Sequence, residues 1–285
     1  MTLPVVKAHA YGNDFLLVPL AGRLSASAEG SGVRAVASRE GAKAAPTPGR
    51  SELARAMCHR HTGIGADGLL LYGLTESGAT MTLLNADGSP SELSGNGLRC
   101  LAALVARRQN LHPPASVSVA TDAGIKTLEL LAIEGERFIF RAALGEPTGI
   151  RQVQIPVLGE VVTASVLAVG NPQCVVLGPL PDLDRFNRLG PALSTHAMFP
   201  AGTNVEFAEI EAPGRVRILI WERGVGPTTS SGTGTSASAV AAAAHGQALR
   251  DVEVIAPGGS QRVEWRQDGV YLTGWAELVM EGTWL

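Results

Sequence analysis

The sequence predicts an α+β protein built as two similar lobes facing one another. Three observations predict it. Short runs of β-branched and apolar residues outnumber helical stretches across the 285 residues. A Gly-rich signature occurs twice, Ser94-Gly95-Asn96-Gly97 and Ser231-Gly232-Thr233-Gly234, 137 residues apart, each running into an apolar, Ala-rich stretch. Other turns repeat in step with it. Gly65-Ala66-Asp67 matches Gly202-Thr203-Asn204 and Asn85 matches Glu222 at the same spacing, while Gly12-Asn13-Asp14 matches Gly170-Asn171-Pro172 at a spacing of 158.

The two spacings differ by 21 residues, and only the first half holds a low-complexity stretch, about 25–50, rich in Ala, Ser, Gly and Pro. It reads as a surface insertion. Each half then runs in the same order: a strand ending in Gly-Asn, a Gly-rich turn, a strand (81–85 and 216–222), a loop, and S-G-x-G opening a helix. Further strands are expected at 117–121, 137–142, 160–168 and 175–177. The expected lobes are 1–122, joined by a returning last strand at 275–285, and 123–274.

Composition removes several function classes. Apolar residues make up 45% and charged residues 17%, with a net charge of −3, which supports a full core and lacks a basic nucleic-acid footprint. No apolar run approaches the roughly 18–20 residues of a membrane span. The N-terminus lacks a signal-peptide layout, and three scattered Cys (Cys58, Cys100, Cys174) are no disulfide framework, so a cytoplasmic location is expected. There is no P-loop, and only three of the 23 basic residues are Lys, none in the Gly-rich turns, which argues against Schiff-base chemistry.

The S-G-x-G turns carry the chemistry. A helix N-terminus presents free N–H groups and partial positive charge, and Gly lets an anion approach the backbone. Two such ends converging on one carboxylate would place Ser94 and Ser231 on either side of the adjacent carbon. That geometry suits removing a proton from one face and returning it on the other, with the dipoles stabilising the enolate-like charge. Taken singly, each serine is explained as an ordinary N-cap. Repetition of the whole pattern favours a site. Asn13, Asn85, Asn96, Asn171, Asn204, Glu222 and Arg223 crowd the same turns and suggest a polar pocket for a small zwitterion. Three alternatives have weaker support. Gly232 to Ala237 fits a loose dinucleotide fingerprint but lacks a βαβ setting. Cys58-His59-Arg60-His61 lacks a second pair of metal ligands. A serine hydrolase would need a His, and neither His245 nor His196 comes with a G-x-S-x-G elbow.

These segments resemble the diaminopimelate epimerase family over nearly the whole chain outside 25–50. The resemblance is carried by Tyr11-Gly12-Asn13-Asp14-Phe15, Gly63-Ile64-Gly65-Ala66-Asp67-Gly68, Asn85-Ala86-Asp87-Gly88-Ser89, the two S-G-x-G turns, Gly170-Asn171-Pro172, Phe199 to Phe207 and Trp221-Glu222-Arg223-Gly224. It implies two pseudosymmetric α/β lobes with the active site in the cleft between them. It further implies interconversion of LL- and meso-diaminopimelate, a lysine and cell-wall precursor, with no cofactor or metal, by an enzyme that is often a homodimer. On that resemblance Gly95, Asn96, Gly232 and Thr233 hold the α-carboxylate, and Asn13, Asn85, Asn171, Asn204, Glu222 and Arg223 line the pocket.

The departures fall on the acid–base groups. Where the family carries its two catalytic Cys, this chain has Ser94 and Ser231; its usual His is Gln173, and its usual Glu after Gly-x-Gly is Pro227. Glu222 remains to assist Ser231. Three readings follow: an epimerase with altered chemistry, a binding protein with little catalysis, or a proton-abstracting isomerase or lyase acting on another small carboxylate.

Overall fold

The computed structural model describes residues 2–20, 48–91, 94–122 and 124–285; most of the expected insertion lies outside them. In the first lobe β1 (Leu3–Ala10) pairs antiparallel with β2 (Asn13–Pro19), β2 parallel with β3 (Gly68–Thr75), β3 antiparallel with β4 (Gly78–Asn85), and β4 parallel with β6 (Ala115–Thr121). Two residues, β5 (Pro90–Ser91), add to β4. β7 (Gly124–Glu134), β8 (Arg137–Gly145) and β17 (Gly269–Trp284) follow antiparallel, and β17 returns to β1, closing the barrel.

The second lobe repeats this order. β10 (Glu160–Val169) pairs antiparallel with β11 (Asn171–Leu177), β11 parallel with β12 (Asn204–Ala212), β12 antiparallel with β13 (Arg215–Glu222), and β13 parallel with β15 (Asp251–Ala256). β14 (Gly226–Thr228) occupies the place of β5, and β16 (Gly259–Arg266) leads back to β17. β9 (Thr148–Val157), which follows β8 after a two-residue break, closes this side on β10. The two lobes therefore share long strands.

Parallel neighbours need crossovers, and the helices supply them. α1 (Pro48–Cys58) and α3 (Leu183–Ser194) cross outside, against β3–β4 and β12–β13. α2 (Gly95–Arg108) and α4 (Gly232–His245) cross inside, each touching nearly every strand of its own barrel. A helix enclosed by strands must be apolar all round. Every residue of α2 from Asn96 to Ala106 is buried, as is every residue of α4 from Gly234 to Ala242. Burial of Leu101 or Leu104 stabilises the fold by about 1.5–3 kcal/mol each. The serines of α4 satisfy themselves: Ser236 Oγ donates to Gly232 O at 2.9 Å and Ser238 Oγ to Gly234 O at 2.8 Å.

One boundary differs from the sequence expectation. Leu128 and Leu130 of β7 and Phe138 and Phe140 of β8 pack in the same core as α2, so the first lobe runs well past residue 122. Composition could not place this edge, because pairing across the barrel, not a linker, decides where β7 and β8 belong.

The lobes meet at Tyr11 and Gly258. Gly258 lies so close that an added Cβ would stand 2.3 Å from Tyr11 O and 3.0 Å from Thr229 O. Gly258→Ala is expected to cost about 2–3 kcal/mol as an overpacked contact. Urea denaturation checks this; an unchanged midpoint would show that the lobes part easily here.

Candidate active site

Repeat-related residues stand at equivalent strand ends in the two lobes. Asn13 opens β2 as Asn171 opens β11, Asp67 precedes β3 as Asn204 opens β12, and Asn85 ends β4 as Glu222 ends β13. Gly12, Gly65, Gly170 and Gly202 hold positive φ of 86°, 81°, 77° and 73°, which explains the Gly at each of these turns.

Ser94 and Ser231 cap the two inner helices from extended backbone. Ser94 Oγ accepts from Gly97 N at 3.1 Å and Ser231 Oγ from Gly234 N at 3.2 Å. Their carbonyls accept from Leu98 N and Thr235 N. The N–H groups of Gly95, Asn96, Gly232 and Thr233 are therefore the first-turn donors that neither serine takes, and Gly95 has open space beside it. The two helices contact one another.

A directional chain of side chains ties the lobes at this point. Arg99 Nη2 donates to Asn96 Oδ1 at 2.5 Å, Asn96 Nδ2 to Asn13 Oδ1 at 3.2 Å, and Asn13 Nδ2 to Asp67 Oδ2 at 2.8 Å. Arg99 also reaches Gln261 Oε1 at 3.4 Å, and Gln261 Nε2 donates to Ser230 Oγ at 3.3 Å, beside Ser231. Arg60 bridges Asp14 and Asp67 at 2.9 and 2.7 Å, and Lys7 pairs with Asp14 at 3.0 Å. Sequence reading missed Asp67, Arg99 and Gln261 as parts of this network. The repeat offered a signal for Asp67, whose mate Asn204 it did single out.

On the other side, Asn204 Oδ1 accepts from Arg223 N at 2.9 Å, and Arg223 Nη1 donates to Ala201 O at 2.8 Å, leaving the rest of its guanidinium exposed. Asn85 is exposed and donates to Ser89 Oγ at 2.9 Å, closing its own turn. Burial raises the Glu222 carboxyl above its ordinary value; a hydrogen bond from the Ser231 hydroxyl opposes this, and the charge of Asp67 from the facing lobe adds to it. Glu222 and Ser231 thus form a carboxyl–hydroxyl pair, whereas Ser94 has no such carboxyl partner among the described residues.

The three Cys are free and buried. Burial pushes Cys58, Cys100 and Cys174 up to about 12. Among the described residues there is no group of metal-ligating side chains, and no helix is long and apolar enough to cross a membrane. His245 lies at the far end of α4 on Ser165, and His196 on Pro156 O, so neither serves Ser231 as a base. Surface hollows beside Arg250–Trp265 and Leu104–Arg107 contain none of the cleft residues.

A sequence profile described as diaminopimelate epimerase matches residues 5–148 and 165–279. The chain belongs to the diaminopimelate epimerase family. The diaminopimelate epimerase of Desulforudis audaxviator is 39% identical over 296 residues, covering 98% of each chain, and that of Desulfitobacterium hafniense is 36% identical over 300 residues, covering 99% of this chain and 98% of the other. The fold is shared more widely. A probable proline racemase from Agrobacterium radiobacter, with bound carbonate, superimposes with a TM-score of 0.68 at 16% identity, over 98% of this chain and 92% of that one. A Bacillus anthracis phenazine biosynthesis protein of the PhzF family superimposes with a TM-score of 0.69 at 14% identity, over 100% and 99%. The chain is thus an isomerase by family, in the two-lobed fold its repeats predict.

Proposed function

We propose that the cleft binds a diaminopimelate-like amino acid and removes its Cα proton without a cofactor. The observation that carries this reading is the pair of capped helix ends, each with first-turn N–H groups not taken by its serine, linked from Arg99 on α2 through Gln261 to Ser230 beside Ser231. The N–H groups of Gly95, Asn96, Gly232 and Thr233 hold the reacting carboxylate. Asn13, Asn85, Asn171, Asn204 and Arg223 recognise the rest of the molecule.

The two faces of the substrate carbon are served unequally. On one, Ser231 Oγ takes the Cα proton as its own hydroxyl proton passes to Glu222. The electron pair left on Cα moves into the carboxylate, where the helix ends stabilise it. On the other, Ser94 has only a hydroxyl to offer. Exchange of the Cα proton should therefore outrun inversion. A second reading, a protein that binds diaminopimelate without turnover, is favoured by the loss of both thiols. A third, turnover of a different small carboxylate, is tested by substrate competition. A cytoplasmic location and a homodimer belong to the same proposal, from the family resemblance.

Proton NMR of LL-diaminopimelate with the protein in D₂O tests the reading. Loss of the Cα–H signal without the meso isomer is the expected result. Loss with inversion shows that both faces work, binding without exchange supports the second reading, and neither binding nor exchange means the ligand is wrong. Arg223→Ala is expected to weaken ligand binding by roughly 10–100-fold, the range of a lost charge-assisted hydrogen-bond pair. Calorimetry that finds the affinity unchanged would remove Arg223 from the pocket.

A further inference from the structure

Arg99 is a buried cation that the proposed reaction does not use. It lies on the second turn of α2 and is 2% exposed. A helical side chain leans back over the turn N-terminal to its own Cα, so the guanidinium stands beside the mouth of α2. There Nη2 donates to Asn96 Oδ1 at 2.5 Å and to Gln261 Oε1 at 3.4 Å, and Cζ lies 5.8 Å from the centre of the Tyr11 ring. Its Nε has no partner.

No carboxylate among the described residues pairs with this charge. The ionisable groups that sense it are Tyr11 and the Cys100 thiol. A guanidinium keeps its proton even when buried. An unpaired buried charge is costly, and packing alone would be served here by an apolar residue, as it is at Leu98, Leu101 and Leu104 of the same helix. The cation therefore does something that packing does not.

What it does is set direction. Arg is a donor only, so each amide that meets it must turn its oxygen inward and its nitrogen outward. In the first lobe, Asn96 Nδ2 then donates to Asn13 Oδ1 at 3.2 Å and Asn13 Nδ2 to Asp67 Oδ2 at 2.8 Å. In the second lobe, Gln261 on β16 donates through Nε2 to Ser230 Oγ at 3.3 Å. Two chains of fixed polarity thus leave one guanidinium, one toward each helix mouth. Asn96 carries a first-turn N–H group of α2 that Ser94 does not take, and Ser230 precedes Ser231, the cap of α4.

We propose that Arg99 is a positioning residue for both halves of the anion cradle, holding Asn96 at the mouth of α2 and, through Gln261, Ser230 at the mouth of α4. Its charge strengthens both chains, since hydrogen bonds from an ionised donor are the stronger kind. That charge is not spent on a carboxylate partner. It adds to the positive potential that the two helix ends present to a substrate carboxylate. The bond to Gln261 is the longer of the two, so the hold on α4 is the looser.

The proposal rests on the substrate reading above for its effect on binding, but not for the network itself. Nitrogen-15 NMR of the free, labelled protein is expected to show a guanidinium with slowed rotation and slowed proton exchange that Arg99→Lys lacks. A freely rotating, rapidly exchanging guanidinium at this position would overturn the proposal. Calorimetry with meso-diaminopimelate supplies the second readout. Arg99→Lys, which keeps the charge and the donors, should bind within about threefold of wild type, whereas Arg99→Met, which keeps only the apolar stem, should bind at least about tenfold more weakly. In urea the order should reverse, with Arg99→Met at least as stable as Arg99→Lys, because an ammonium is harder to bury than a guanidinium. A merely structural Arg99 would make the two orders agree, and that agreement, or wild-type affinity in Arg99→Met, would overturn the positioning role. Gln261→Leu should bind about threefold more weakly, and the double variant with Arg99→Met no more weakly than Arg99→Met alone. Additive losses would overturn the link through Gln261. If the wild type itself does not bind diaminopimelate, the ligand reading fails, and the NMR result still decides how Arg99 is held.

Discussion

The double substitution Ser94→Cys with Ser231→Cys is expected to raise inversion of LL-diaminopimelate to the meso isomer by about 10³–10⁴-fold, the largest effect predicted for this protein. The reason is acidity. A free thiol titrates at about 8.5 and a serine hydroxyl is a far weaker acid, and roughly half of that gap is expressed in a proton-transfer transition state. The helix ends lower a thiol further, because both positions are N-caps with the side-chain atom already facing a first-turn N–H. The gain should appear in inversion more than in exchange, since no carboxyl among the described residues assists Ser94. Chiral separation of the products over time is the check. A double variant that binds the amino acid yet inverts it no faster would show that Gln173 and Pro227, not the serines, block the reaction.

Glu222→Gln is expected to lower Cα–H exchange by about 10²–10⁴-fold, the range of a lost general base, while changing ligand affinity by less than about tenfold. Its pH behaviour follows from the direction of the shift. Burial raises the Glu222 carboxyl in the folded protein. Exchange should therefore rise with pH through a midpoint above the usual Glu value, and Glu222→Gln should lack that rise. The stability consequence has the opposite sense. The group stays protonated in the fold where the unfolded chain, titrating near about 4.3, has already ionised. Its contribution is full below that unfolded value and is lost as pH rises toward the folded one. Glu222→Gln should therefore gain stability over the parent in that window. Equal exchange rates in the two proteins would remove Glu222 from the chemistry.

Both predictions depend on an asymmetry that the repeat conceals. At matched positions the first lobe ends β4 in Asn85, which closes its own turn on Ser89, and the second ends β13 in Glu222, which meets Ser231. On the proposed reading, the two helix ends are equivalent for binding an anion and unequal for moving a proton.

Much of this was legible in the residues. The twofold S-G-x-G pattern marked two capped helices, because Ser, Gly and an apolar run are a local grammar that needs no tertiary contact. The matched Gly-Asn and Gly-x-Asp/Asn turns marked positive-φ corners for the same reason, and the position of Glu222 after a β-branched run put it at a strand end. The sequence by itself thus determined the two-lobed repeat, the family and most of the polar residues at the strand ends. Tertiary structure alone decided the rest. Closure of each barrel on a shared β17 placed β7 and β8 in the first lobe, since long-range pairing leaves no mark in local composition. The links Asn96–Asn13, Asn13–Asp67 and Arg99–Gln261 and the burial of Glu206 against Gly234 join residues from 28 to 162 positions apart. Whether a carboxyl is a base or a neutral donor depends on what surrounds it, and only the folded chain supplies those surroundings.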